Sequence, residues 1–305
     1  MLQVIADGLI IGSVISLGAI GLSLTLAIVR FSNFSHGELL AWGAYLAFMM
    51  SSALTAMHEG LAEPIGPFSF GWGLVIAMVM AAALTGVMAL LLDAVLFNRL
   101  RKQGSITLVI ASFGAALVLR NLLLVWQGGV PKYFSQNLQM AIAVLPRSFA
   151  GGLRFTPDQF LVLTLTLASV AGLHLFLRYS VLGRAMRATA INPALAQVTG
   201  IDPERVLRAT WLLGGALAAV AGVFAGITVQ LRPTMGVELL LPLFAAVILG
   251  GIGSVWGAVL GGLLVGLAES ASVRLLGAEY RTAAAFIVLI VILLIKPNGL
   301  FGEKA

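Results

Sequence analysis

His36, His58 and His174 are the only histidines in the chain, and cysteine is absent. The histidines are scattered, and no H-E-x-x-H places two of them on one helix face, so a zinc site is not expected. Without cysteine there is no disulfide, thiolate metal site or thiol nucleophile. None of Lys102, Lys132, Lys296 and Lys304 lies in a G-x-x-x-x-G-K-[ST] pattern, so the chain does not hydrolyse ATP through a P-loop. No paired acid–base constellation is visible either, which makes an enzyme a remote reading.

The elements that hold these residues are overwhelmingly apolar. Of 305 residues, 60% are hydrophobic and only 10% are charged, against about 25% charged in a typical soluble domain. The mean hydropathy is +1.06. A soluble enzyme is excluded, because its whole outer surface would be greasy. A chain that crosses a bilayer many times resolves the conflict, since lipid then solvates the outward side chains. The net charge of +6 would suit nucleic acid, but the basic residues sit in short loops between apolar runs, as membrane topology requires.

A crossing needs about 20 apolar residues in a helix. Candidates lie near 4–29, 36–57, 73–97, 105–126, 159–177, 208–230, 241–267 and 282–296. The expected fold is an all-α polytopic transmembrane bundle of about eight spans. The run 250–262 loads the seventh with glycine and predicts a bend or break. Met1-Leu2-Gln3-Val4 lacks the basic start of a cleaved signal, so the first run is expected to remain as a span.

Arg30, Arg99, Arg101, Lys102, Arg178, Arg184, Arg187, Arg205, Arg208, Arg274 and Arg281 fall in the loops after odd-numbered spans. Lys132, Arg147, Arg154, Arg232, Lys296 and Lys304 fall on the other side. The positive-inside rule then places the N-terminus and the 127–158 loop outside. Lys296 and Lys304 would prefer the inside, and a broken seventh segment would reverse the parity. Asp93 is expected to pair with the basic loop after span 3, and Arg120 to snorkel outward from span 4.

Two helix turns resemble each other. Span 1 ends at Arg30 and Gly37-Glu38 opens the next helix; span 6 ends at Arg232 and Gly236-Val237-Glu238 opens the one after. Facing opposite sides, they fit an inverted repeat, and chance similarity is the alternative. Ser35 and Glu38 match an S-x-x-E capping box. Gly253, Gly257 and Gly261 recur every fourth residue, as do Gly262 with Gly266 and Gly222 with Gly226, so backbones are expected to approach closely there.

The loop 178–208 is long, of mixed charge, and expected on the cytoplasmic face. Asn192-Pro193 can start a short helix there, Ala194, Leu195 and Ala196 continue it, and Gly200 can end it.

These segments together resemble the permease subunit of the branched-chain amino acid ABC uptake family, the shorter of its two permease types. The resemblance rests on NFSHGELLAWGAY, LGRAMRATAINPALAQVTGI, LFAAVILGGIGSVWGAVLGGLLVG and KPNGLFG, from about residue 8 to 302. It implies one transmembrane permease domain over 1–305, with a cytoplasmic coupling loop at 178–208, in a bacterial-type inner membrane. It implies a second related permease, two cytoplasmic ATPase subunits and an extracytoplasmic substrate-binding protein as partners, the bilayer around it, and no nucleic acid. No cofactor is implied in this chain; ATP and Mg would sit on the ATPase subunits.

ABC permeases often carry E-A-A-x-x-x-G in the coupling helix. Here Ala194, Leu195, Ala196 and Gly200 align with it and the acidic residue is missing. The expected coupling residues are Asn192, Pro193, Ala194, Leu195, Ala196 and Gly200, with Arg184, Arg187 and Arg205 flanking the contact. A path along the permease interface would be lined by small, weakly polar residues: Ser13, Ser16, Asn33, His36, Ser112 and Asn121. Interhelical hydrogen bonding, worth about 0.6 kcal/mol each, is the alternative role for these. Relatives also move urea, short amides and aromatic acids, and a self-sufficient channel or carrier is the rival from another class.

Overall fold

The computed structural model describes residues 1–135, 139–145, 152–296 and 299–301. Helix α1 (Leu2–Val29) is buried along most of its length and forms the axis of the bundle. Arg30 closes it in the left-handed region at φ 61°. The chain then turns back along α1 before α2 (His36–Met57) begins. The His36 ring lies 3.1 Å from the carbonyl of Gly18, on the order of 16 Å from the inner end of α1. So α2 starts inside the bundle, not at its surface.

Helix α3 (Trp72–Leu92) continues through a π-helical turn at Asp93–Phe97, the short α4 (Asn98–Leu100) and a 3-10 turn at Arg101–Gln103. Helix α5 (Ser105–Gln127) runs back outward. The outer loop holds a small antiparallel pair, β1 (Ile142–Leu145) with β2 (Leu153–Phe155), tied to the start of α1 by Gln3 and the Arg154 backbone. This pair is an addition to the all-helical expectation. Next come α6 (Pro157–Tyr179), the inner helices α7 (Val181–Ile191) and α8 (Pro193–Val198), and α9 (Pro203–Thr228). Side chains of Thr156, Ser180, Asn192 and Asp202 cap these four helices at their starts.

The candidate span 241–267 does not exist as one helix. Helix α10 (Met235–Gly250) stops at a turn, and α11 (Val255–Leu275) starts after Ser254, which caps the Gly257 amide. Gly251 and Gly253 take φ 99° and 85° in that turn, a geometry that L side chains resist. Like α2, α10 begins inside the bundle. Gly37 and Gly236 meet back to back, and an added Cβ on Gly37 would lie 2.3 Å from the Gly236 carbonyl oxygen. The seventh span is α11, and the eighth, α12 (Arg281–Ile295), runs in the reverse direction.

This half-helix corrects the topology. Helix α11 runs antiparallel to α1, with Gly253 N–H on Ser23 Oγ at one end and Ser270 Oγ on the Val4 carbonyl at the other. Arg274 and Arg281 therefore lie on the outer side with the N-terminus, against expectation. Lys296 lies on the inner side with Arg30, as its charge demands. There Leu300 and Phe301 donate backbone N–H bonds of 2.8 and 3.0 Å to Leu249 and Gly250, stapling the end of α10. The KPNGLFG positions Pro297, Asn298 and Gly302, with Arg147 and Lys304, lie outside the described residues.

The inverted repeat is visible in the packing. Exchanging α1, α2 and α3 with α9, α10 and α11 turns α3–α9 into α11–α1, α2–α3 into α10–α11, and α2–α9 into α10–α1. The α1–α9 crossing maps onto itself at Gly21 and Gly214, whose backbones face each other.

Candidate functional site

Two re-entrant turns meet at the Gly37–Gly236 contact. In the first, Asn33 Oδ1 accepts from both the Ser35 amide (3.0 Å) and the Ser35 hydroxyl (2.6 Å). Ser35 is thus spent on Asn33, and the expected capping box does not form: the first turn of α2 has no side-chain cap. Glu38 instead accepts two bonds of 3.1 Å from Arg120 of α5. Arg120 does not snorkel outward; its guanidinium turns in to a carboxylate that is 2% exposed. Asp93 does pair with the basic loop, through Arg101.

Because the Gly18 oxygen can only accept, His36 holds a proton on Nε2. Ser112 accepts the Phe34 amide at 3.1 Å and donates to Val109 at 2.8 Å. Asn33, His36 and Ser112 therefore gather at the first turn. Below it, Phe31, Phe97 and Trp211 close the inner side, with the last two rings stacked at 5.3 Å.

The second turn is built on the same pattern and presented differently. Leu231 exchanges backbone bonds with Lys132 of the outer loop, and the chain then descends to Thr234 and α10. Arg232 donates to Glu238 at 2.8 Å, and Thr234 donates to the other Glu238 oxygen at 2.8 Å. The Arg232 and Glu238 side chains are 40% and 43% exposed. Close by, Phe34 packs against Phe113 of α5 and Phe244 of α10. A face made of α5, the first turn and α10 thus carries aromatic rings and one open ion pair.

The other expected path residues sit elsewhere. Ser13 bonds back to the Ile10 carbonyl within α1. Ser16 bridges Gly12 and, at 2.9 Å, Val259 of α11. Asn121 is exposed on α5 and, among the described residues, bonds only the carbonyl of Leu117. Of the glycines, Gly257 and Gly261 pack on α10 at Gly250 and Ala246, whereas Gly262 and Gly266 pack on α1 at Ser16 and Gly12. Gly253 belongs to the turn before α11, not to its face.

Helix α8 forms where Asn192-Pro193 predicts it. Asn192 Oδ1 accepts the Leu195 amide at 3.0 Å, and Gly200 follows at φ 89°. Ala196 is buried and its carbonyl accepts the Ile201 amide, joining α8 to the start of α9. Leu195 and Val198 are the large apolar side chains α8 presents, 61% and 85% exposed.

Three charged groups escaped the sequence reading. Spacing alone assigns Glu38 to a cap and Glu238 to a repeat signature, and it does not single out the buried Glu269, which pairs with Arg281 at 2.6 Å. The repeated glycine–glutamate spacing in the two turns was the available signal for the first two.

Among the described residues, eight helices long and apolar enough to cross a membrane, one of which (α2) meets the shorter α10 inside the bundle, define a multi-pass membrane protein. The family model for the permease component of the branched-chain amino acid transport system matches residues 4–295, and the chain belongs to that family. It is 32% identical over 303 residues to the high-affinity branched-chain amino acid permease protein BraD of Pseudomonas aeruginosa, covering 99% of this chain and 96% of that one. It is 32% identical over 307 residues to LivH of Escherichia coli, with the same coverage. A probable LivH of Methanocaldococcus jannaschii is 29% identical over 98% of this chain and 92% of its own. The chain is a transport subunit of the inner membrane and the permease component of an ABC importer, not an enzyme.

Proposed function

We propose that this chain forms half of the membrane pathway through which an ATP-driven importer takes up branched-chain or similar amino acids. A second related permease pairs with it, two cytoplasmic ATPase subunits supply the work, and an extracytoplasmic binding protein delivers the substrate. The observation that carries this reading is the Gly37–Gly236 contact, where two half-helices of opposite direction meet at depth. Broken helices of this kind are tolerated where they are buried in protein or line a cavity.

The path runs along the face of α5, the first turn and α10, against the partner permease. Asn121 and the Arg232–Glu238 pair line it, while Asn33, His36 and Ser112 hold the turn behind it. Binding there is weak, because selection resides in the delivered receptor. Helix α8 docks into the ATPase through Leu195 and Val198, flanked by Arg184 and Arg205. Its displacement passes through Ala196 into α9, and along α9 to the crossings with α1 at Gly214 and with α2 at Gly222. ATP and Mg belong to the partner subunits.

The test is reconstitution into vesicles. The assembled complex with its binding protein is expected to accumulate labelled leucine only with ATP. ATP-independent flux from the lone chain would refute the importer reading. Uptake of urea or a short amide in place of leucine would keep the mechanism and replace the substrate.

A further inference from the structure

A cavity of about 390 Å³ opens on the inner half of the bundle, between α1, α6, α7 and the start of α11. Leu24, Ile28 and Leu177 form its apolar wall, and Arg178 and Arg187 stand on its lining with no Asp or Glu among the lining residues. Neither arginine forms an ion pair among the described residues. Trp256 donates its indole N–H to His174 Nδ1 at 3.2 Å, which fixes both rings at the cavity.

The backbone supplies two more donors. Val255 and Trp256 open α11, and first-turn amides have no carbonyl within their own helix to bond. Neither amide has another partner among the described residues, since Ser254 serves Gly257 and Ser23 serves Gly253. Two guanidinium groups and the start of a 21-residue helix therefore converge on one space. That combination suits a phosphate oxyanion.

The surroundings say which phosphate. The cavity lies at the level where α6 ends in Arg178 and Tyr179, on the side of the bundle with most of the Lys and Arg. From it, Trp256, Leu260 and Leu264 run along α11 at a spacing of four, exposed by 50%, 40% and 37%. A headgroup in the cavity would leave its acyl chains on that ridge. We propose that the cavity binds the phosphodiester of an anionic phospholipid of the inner leaflet, clamped by Arg178 and Arg187. Arg187 and Ala190 belong to α7, so the bound lipid ties α7 to α1 and α11 immediately before the coupling helix.

The test uses the purified full-length chain in detergent, titrated with phosphatidylglycerol or phosphatidylcholine and followed by native mass spectrometry. Two arginines near an anionic headgroup predict a preference for phosphatidylglycerol on the order of 30-fold. Arg178→Gln with Arg187→Gln is expected to abolish that preference. Ala27→Leu, which fills the cavity without touching charge, is expected to weaken phosphatidylglycerol binding to the same degree. Arg205→Gln with Arg208→Gln, also inner but off the cavity, is expected to retain it. Equal binding of the two lipids by the unmodified chain, or an undiminished preference in both cavity variants, overturns the proposal. Displacement of the lipid by inorganic phosphate at equal concentration overturns it in favour of a free-anion site.

Discussion

The turn at residues 31–38 and the turn at residues 229–238 have the same design, and they spend their charges in opposite ways. Each reverses the chain inside the bundle, each opens a half-helix with a glycine in backbone contact with the other, and each carries a glutamate in its first helical turn. In the first, Glu38 is buried against Arg120. In the second, Glu238 pairs with Arg232 on the surface. A buried carboxylate stabilises only while its partner remains; an exposed pair contributes little to stability and stays available to a ligand. One turn is thus a fixed support, and its counterpart leaves its charges open at the surface.

The largest effect is expected where both turns fail together. An added Cβ in Gly37→Ala would lie 2.3 Å from the Gly236 oxygen and 3.1 Å from Leu240 Cβ. The clash is with backbone and cannot be relieved by a rotamer, so a loss of about 3 kcal/mol or more is expected. Gly114→Ala, where nothing lies within 4 Å, should leave melting unchanged. Thermal melting of the two purified variants checks this, and equal melting would show that the turns are not locked to each other.

Comparable in size is the asymmetry of the ion pairs. Arg120→Ala leaves Glu38 buried without a partner and should cost about 3–5 kcal/mol. Arg232→Ala should cost under about 1 kcal/mol yet lower transport in the reconstituted complex. If both variants melt alike, the two turns do not differ as described.

Much of this architecture was legible in the sequence because apolar runs, caps and glycine punctuation act locally. Asn192-Pro193 and Gly200 announce α8 through one side-chain bond and one positive φ, both set within the segment. The break near 250–262 was legible as glycine, but its consequence was not. That α10 begins at Met235 inside the bundle depends on contact with Gly37, far away in the sequence, and hydropathy merges its end with α11. The outer position of Arg274 and Arg281, against the loop-charge expectation, follows from this half-helix, and it also settles the side of Lys296, which the loop charges leave open. Ser35 and Glu38 fit a capping box by spacing, and only the positions of Asn33 and Arg120 decide that they serve other partners.

The coupling segment sharpens the contrast between support and contact on a smaller scale. Ala196 faces its own chain, so Ala196→Leu should lower the melting temperature of the isolated permease. Leu195→Ser with Val198→Ser changes only exposed positions. That pair should leave melting unaltered while ATPase co-purification falls on the order of tenfold, about 1.4 kcal/mol. Intact co-purification would remove α8 from the docking surface.

The smallest effects separate a residue that holds the first turn from one that lies on the open face beside it. Ser112 is buried and accepts the Phe34 amide, so Ser112→Ala leaves that donor unpaired inside the bundle. A cost of about 1–2 kcal/mol is expected. Asn121 is exposed and, among the described residues, bonds only Leu117, whose carbonyl keeps its helical partner when the side chain is removed. Asn121→Ala should therefore shift stability by less than about 0.5 kcal/mol. If α5 borders the path, the same substitution changes leucine uptake by the reconstituted complex. Uptake equal to that of the unmodified complex, at unchanged melting, would take Asn121 off the path and confine the polar lining to the second turn and the start of α10, where Arg232 and Glu238 stand open.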